Sequence, residues 1–262
     1  MSDWNPADYH KHSDAQMAWA AELIAKLALT GNERVLDIGC GDGKVTAQIA
    51  RAARYGLVLG VDSSEEMVRF AREAFGADEF PNLSFRVCDA RRLPFCEEFD
   101  IIFSNATLHW VVDHRPVLAG IAMGLRPGGQ AVLQMGGEGN AADVVAVVAG
   151  VIAEERWRDY FGGFEFPYGF HGAEIYREWI VEADLTPVRV ELIAKDMAKP
   201  GPEGLAGWVR TTWMPYTHRV PEALREEFIA EIVSRYVAAH PADADGTVHV
   251  RMMRLEVEAR KG

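Results

Sequence analysis

The stretch Val35-Leu36-Asp37-Ile38-Gly39-Cys40-Gly41-Asp42-Gly43 constrains this chain most: a short apolar run passes into a glycine turn and then into a helical pattern. Glycines at such a junction let the backbone take φ > 0 and approach a ligand without a Cβ in the way. The motif opens an alternation. Apolar runs at 34–38, 57–61, 83–88, 99–104 and 130–135 read as strands. Helical spacing separates them at 44–53, 64–75 and 115–124, and Arg126-Pro127-Gly128-Gly129 reads as a turn. Repeated βα units with fully apolar strands predict a parallel sheet covered by helices on both faces.

A helix at 15–28 precedes this core. After Met135 the rhythm changes to a helix at 141–157, an aromatic loop to Phe170, a helix at 172–183 and a strand at 188–193. Helical stretches at 204–213 and 221–240 follow, then an alternating strand at 248–259 that reads as a reversed strand at the sheet edge. Pro200-Gly201-Pro202 is the clearest linker signal. The expected fold is α/β: a Rossmann-like, mostly parallel seven-stranded sheet with helices on both faces, its last strand antiparallel, plus a helical aromatic cap. One domain of 262 residues is expected. Residues 1–30 form its N-terminal cap segment, 31–136 the ligand-binding core, and 137–172 and 197–246 cap insertions. Residues 173–196 and 247–262 complete the core.

Composition removes several function classes. With 49% hydrophobic and 25% charged residues the chain is of ordinary globular make-up. Its formal charge of −12 opposes attraction to nucleic acid, and no Lys/Arg run offsets it. Three cysteines (Cys40, Cys88, Cys96) without a C-x-x-C pair suggest no disulfide framework and no metal site. The longest apolar stretch, 141–153, is broken by Asp143, so no membrane span is expected. The opening Met1-Ser-Asp-Trp-Asn-Pro lacks the basic and apolar regions of a secretory signal, which predicts a cytoplasmic protein.

Two details of the glycine turn choose between nucleotide cofactors. A dinucleotide fingerprint starting at Gly39 needs a glycine where Lys44 stands. Asp37 would repel a pyrophosphate, yet suits the ammonium and sulfonium end of S-adenosylmethionine. At the end of the second strand Asp62 can accept from both ribose hydroxyls. At the end of the third, Asp89 can accept from the adenine amino group while the Ala90 amide faces the ring. Helix N-capping is the competing explanation for each Asp.

The Asp37 motif, Asp62, Asp89 and the turn Leu125-Arg-Pro-Gly-Gly129 resemble the successive motifs of class I S-adenosylmethionine-dependent methyltransferases over residues 34–135. The resemblance implies cofactor contacts from Gly39, Cys40, Gly41, Asp62, Asp89 and Ala90. It adds Ser63 and Met67 near ribose and adenine, and Asn105 by the methionine moiety. Asn105-Ala-Thr-Leu departs from the Asn-Pro-Pro-Tyr type motif of nucleobase N-methylation.

The opening Met1-Ser-Asp-Trp-Asn-Pro and Ser104-Asn-Ala-Thr-Leu-His-Trp110 resemble the trans-aconitate methyltransferases. Asn5-Pro-Ala-Asp-Tyr9-His-Lys and Arg219-Val-Pro-Glu-Ala-Leu-Arg-Glu-Glu-Phe228 are similar to insect juvenile hormone acid methyltransferases. Both families esterify carboxylates, so a small organic acid is the expected substrate. The resemblance implies that Gln16 and Trp110 hold its carboxylate, through N–H donors that leave its charge intact. Trp110 reads equally as a core aromatic, and Gln16 as an exposed helix residue. Tyr9 and Trp110 are candidates to stabilise the cofactor's cation. The aromatic density from Trp157 to Phe170, with Trp179, Trp208, Trp213 and Tyr216, reads as the cap's own core or as an apolar pocket. The scattered cations His171, Arg177, Arg210, His218 and Arg219 favour a monocarboxylate with an apolar body. An acceptor needing deprotonation would call on His109 or His12, making the enzyme a C- or hydroxyl-O-methyltransferase. A non-catalytic S-adenosylmethionine-binding protein is the remaining alternative.

Overall fold

The computed structural model describes residues 14–262, with side chains from residue 20 onward. Tyr9 and His12 lie outside the described residues, and Gln16 is described only as part of a helix.

Helix α1 (Asp14–Lys26) leads into strand β1 (Arg34–Ile38), α2 (Lys44–Ala52), β2 (Leu57–Asp62), α3 (Glu65–Ala74) and β3 (Leu83–Val87). Then come β4 (Phe99–Asn105), α4 (Arg115–Gly124) and β5 (Leu125–Gly136). The apolar spacing explains the helices. In α2 the buried residues Thr46, Ala47, Ile49 and Ala50 make one face, and in α3 Met67, Val68 and Ala71 make another. Ser64 caps α3 by accepting from the Met67 amide at 3.3 Å, with Glu65 and Glu66 complementing the helix dipole.

The seven strands follow the order β3-β2-β1-β4-β5-β7-β6, with β6 spanning Leu185–Pro200 and β7 Thr247–Lys261. The pairs β1–β2, β2–β3, β1–β4 and β4–β5 are parallel, and β5–β7 is antiparallel. The final strand is therefore the reversed one, as expected, but it is inserted between β5 and β6, and β6 forms the edge. One core packs Leu23 and Leu27 of α1 with α2, α3 and the sheet; a second packs α4, α6 (Ala173–Glu182) and the other sheet face. Helices thus cover both faces. Connection order reverses between β1 and β4, and at such a switch point the loops from neighbouring strand ends diverge and leave a crevice.

Three local expectations shift. Leu125-Arg-Pro-Gly-Gly129 is the first part of β5 rather than a free turn, with the register slipping between Phe99 and Ile101 of the partner strand. Pro200-Gly201-Pro202 links no domains: β6 runs to Pro200 and α7 (Gly201–Thr212) starts at the next residue, where proline in the first helical turn needs no amide partner. Helix α5 ends at Ile152 rather than Trp157 (Ala142–Ile152).

The described residues cluster into two compact units. The first holds 14–138, 168–193 and 254–262; the second holds 139–167 and 194–253, including α5, α7, α8 (Met214–Thr217) and α9 (Glu222–Ala239). In the second unit the aromatics pack on one another: Phe161 stacks on Phe228 at 5.7 Å, Trp157 meets Phe228 at 5.1 Å, and Phe164 meets Tyr216 at 4.6 Å. The Trp157 indole donates to Glu231 at 2.7 Å, satisfying its one polar atom. The aromatic density of 157–164 is this unit's core. Among the described residues, no helix is long and apolar enough to cross a membrane, and no cluster of His, Cys, Asp and Glu could hold a metal ion.

Candidate active site

The glycine turn is fixed to β2 by backbone. Gly39 and Cys40 both donate to the Val61 carbonyl, at 2.7 and 3.0 Å, so the chain reverses tightly over the β2 end. Gly39 has φ 76°, and a Cβ there would lie 2.0 Å from Cγ2 of Thr107, whose hydroxyl donates to the Gly39 carbonyl at 3.0 Å. The turn from β1 and the turn from β4 are thereby locked together across the switch point. Gly41 differs: a Cβ on it would meet nothing within 4 Å, so its backbone faces open space.

The three strand-end acids have different surroundings. Asp37 is 2% exposed and accepts from the Thr46 hydroxyl at 2.7 Å. Burial pushes its pKa up to about 7, with Asp62 adding to the rise and Thr46 opposing it. Asp62 accepts from the Gly41 amide at 3.0 Å through one oxygen and from the Ser64 amide at 2.9 Å through the other. Burial raises its pKa too, against those backbone bonds. The Asp62 carboxylate is thereby held beside Gly41, whose Cβ position is open. Asp89 follows the capping alternative: it accepts from the Arg91 amide at 2.9 Å and pairs with the Arg91 guanidinium at 2.6 Å, which holds its pKa below the usual carboxylate range. Ala90 opens a single 3-10 turn (Ala90–Arg92) after it. Ser63 is exposed, Met67 is buried in the first turn of α3, and the Cys40 thiol is buried and pushed up by that burial.

At the β4 end, Asn105 keeps a buried Oδ1 with no hydrogen-bond partner among the described residues. A buried acceptor left without a donor is costly, and a ligand ammonium or hydroxyl would satisfy it. After Asn105 a 3-10 turn (Leu108–Trp110) carries His109 and Trp110, both half-buried. The Trp110 ring meets His109 at 5.5 Å and Tyr168 edge-on at 5.3 Å, and Tyr168 stacks on Phe170 at 5.2 Å. The His109 Nδ1 accepts from the Gly136 amide at 3.4 Å. Burial pulls the His109 pKa down to about 3, and the nearby charge of Arg254 pulls in the same direction. His109 is a neutral imidazole with its acceptor nitrogen engaged.

The structure therefore brings Asp37, Gly39, Cys40, Gly41, Asp62, Asn105, His109 and Trp110 to one end of the sheet. Arg254 was missed by sequence reading. It stands opposite Gly136 in the β5–β7 register and is only 4% exposed. A charged residue at an inward position of an otherwise apolar alternating strand, repeated at Glu256 and Glu258, was the available signal. Four of the five cations singled out in the sequence are engaged elsewhere: His171 with the Val112 carbonyl, Arg177 with Glu174 and the Val190 carbonyl, Arg210 with Glu226, and Arg219 over the Phe164 ring.

Comparison with known proteins fits this geometry. Residues 35–129 match the family model described as a methyltransferase domain. A trans-aconitate 2-methyltransferase of Variovorax paradoxus is 30% identical over 100% of this chain and 99% of its own. One from Deinococcus radiodurans is 32% identical over 92% of each. Among solved structures, a Haemonchus contortus phosphoethanolamine N-methyltransferase in complex with phosphomonomethylethanolamine and S-adenosylhomocysteine shares the fold, with a TM-score of 0.61 and 20% identity over 98% of this chain and 57% of that one. The chain belongs to the class I S-adenosylmethionine-dependent methyltransferases. Within that class its full-length likeness is to the trans-aconitate 2-methyltransferases. The orphaned Asn105 oxygen and the open face at Gly41 beside Asp62 suit the methionine and ribose parts of S-adenosylmethionine, which is the cofactor.

Proposed function

We propose that this methyltransferase esterifies a carboxylate of a small organic acid. The observation that carries the reading is the state of His109. It is the imidazole beside Trp110, its pKa lies near 3, and its Nδ1 already accepts from Gly136. A hydroxyl or carbon acid must lose a proton to react, and an imidazole in this state is no base for it at neutral pH. A carboxylate with a pKa of about 4 is already ionised and needs none. The names of the two relatives support the same acceptor chemistry, and the charge of the buried Arg254 helps to keep His109 neutral.

The assignments follow. Asp62 accepts from the ribose hydroxyls, Asn105 and Asp37 take the methionine end, and the Gly39-Cys40-Gly41 backbone lies along the cofactor. Ser63, Met67 and Ala90 flank ribose and adenine. Asp89 has a reduced role, since Arg91 already pairs it. Gln16 on α1 and Trp110 hold the substrate carboxylate, and Tyr9 and Trp110 flank the cation. S-adenosylmethionine supplies an electrophilic methyl group, and the chain's part is orientation and exclusion of water. Aromatics that form the second unit's own core, and cations already engaged with carboxylates, carbonyls or a ring, leave no preference for an apolar acid over a polar one.

The test is a panel of trans-aconitate, fumarate, succinate, benzoate and octanoate with radiolabelled S-adenosylmethionine, followed by mild alkali. A methyl ester releases volatile labelled methanol, whereas ethers and C-methyl products do not. Labelled product that survives alkali would overturn the reading.

A further inference from the structure

Two histidines outside the cofactor site, His114 fully buried and His171 half-buried, hold the segment that carries Trp110. His114, fully buried at the start of α4, places Nε2 at 2.9 Å from the Val111 carbonyl and Nδ1 at 3.1 Å from the Tyr176 hydroxyl. His171 places Nε2 at 3.0 Å from the Val112 carbonyl. A carbonyl can only accept, so each Nε2 carries the proton, and the His114 Nδ1 then accepts from Tyr176. Two consecutive carbonyls directly after Trp110 are thus each bound by an imidazole N–H. The two rings meet edge to face at 4.5 Å, and His171 packs on Trp179 at 4.7 Å.

The wall against which Trp110 leans is tied to the same segment by backbone. The Gly169 amide donates to the His109 carbonyl at 2.9 Å, and the Glu138 amide donates to that of His171 at 3.0 Å. A Cβ on Gly169 would stand 2.2 Å from the Val111 carbonyl and 2.9 Å from the His114 Nε2, so only glycine lets this strand of chain close on the segment. Tyr168, next to it, is the ring that meets Trp110. Burial drives the His114 pKa down to about 4 and lowers that of His171, while Asp113 pulls both up. Arg115, lying over Trp179 and paired with Asp113, and Glu182 near it complete the charges around the pair.

We propose that His114, assisted by His171, is a positioning residue for Trp110: its Nε2–H holds the Val111 carbonyl so that the indole is presented in one orientation to the acid. The inference rests on the substrate role proposed for Trp110, but orientation can be read without any substrate. In fluorotryptophan-labelled protein, the Trp110 fluorine resonance is identified by its absence in Trp110→Phe. His114→Leu should shift and broaden it, while His114→Gln, whose amide nitrogen reaches the Nε2 position, should restore it. An unchanged Trp110 resonance in folded His114→Leu overturns the proposal. If His114→Leu fails to fold, His171→Leu serves with the same outcomes.

Kinetics separate this from general destabilisation. With the panel acid esterified fastest, His114→Leu should raise KM for the acid about tenfold, leave S-adenosylhomocysteine affinity within about twofold, and have no further effect in a Trp110→Phe background. Full additivity of the two changes overturns the proposal. A Trp110→Phe protein with wild-type kinetics instead sinks the substrate role of Trp110 and leaves the resonance result standing.

Discussion

At the β1–β2 end of the sheet burial acts on carboxylates, and at the β4 end it acts on imidazoles. In both places it favours the neutral form: Asp37 rises to about 7 while His109 falls to about 3 and His114 to about 4. The consequences differ because the ligands differ. On the proposed reading, a cation bound near Asp37 restores its charge, which suits a sulfonium and an ammonium. On the same reading, an anion arriving beside Trp110 meets in His109 an imidazole whose Nδ1 is already engaged and whose pKa burial has pulled far down. The proposed function assigns a positive ligand to one end and a nucleophile that brings its own charge to the other.

The largest effect should come from removing the charge that faces Gly41. Asp62→Ala should weaken S-adenosylhomocysteine binding by about tenfold or more, because charge-assisted hydrogen bonds to ribose hydroxyls are among the stronger ones. Asp89→Ala should change it by about threefold at most, since its exposed pairing with Arg91 is worth little and already engages the carboxylate. Calorimetry on both variants checks the contrast; equal losses would break the distinction between these two strand ends.

A smaller effect concerns protons at Asp37. With a pKa of about 7 in the free protein, the group is half protonated at neutrality. A bound ammonium favours the ionised form, so binding releases a proton and affinity falls as pH falls. Between pH 7 and 6 the loss should be about fivefold for a bound-state pKa well below 6. Asp37→Asn should flatten that dependence. Calorimetry in buffers of different ionisation enthalpy reads the released proton directly, and no release at pH 7 would refute the coupling.

Much of the parallel half of the sheet was legible because its information is local. Apolar runs set strands 1 to 5, glycines set the turn at Gly39, and acids at strand ends marked the ligand edge. What was illegible depends on partners distant in sequence. Asp62 and Asp89 look alike in the chain, and only the contact with Gly41 in one case and Arg91 in the other separates them. Glu256 stands on the apolar-facing side of an alternating strand and is buried, but its partners cannot be read from the chain. Burial alone would raise its pKa, but Lys26 and Arg189 hold it below the usual range and the Gln134 amide donates to it at 2.9 Å. The place of β7 between β5 and β6 follows from such register, which no local pattern encodes. Arg254 left only the weak signal of a charge in an alternating strand, and what it meets is set by the same distant register. His114 carries no signal in the sequence, and His171 reads only as one of several scattered cations, because their partners are the Val111 and Val112 carbonyls and backbone leaves no mark in side-chain sequence.

The smallest expected effect is none at all, and it bears hardest on the acceptor. His109 does not titrate between pH 6 and mildly alkaline conditions if its pKa lies near 3, and a carboxylate acceptor is fully ionised across that range. Single-turnover rates, which isolate chemistry from product release, should therefore be flat with pH there. His109→Ala should leave the profile flat, whatever it does to the rate through the lost packing against Trp110. A histidine base would give a different curve: the rate would rise tenfold per unit through the ordinary imidazole pKa of about 6.5 and then level. The sign is unambiguous, because the base form is populated only above the pKa. A rising acidic limb that disappears in His109→Ala would mean that His109 becomes exposed to a proton-bearing acceptor in the complex, and carboxylate methylation at this site would have to be abandoned.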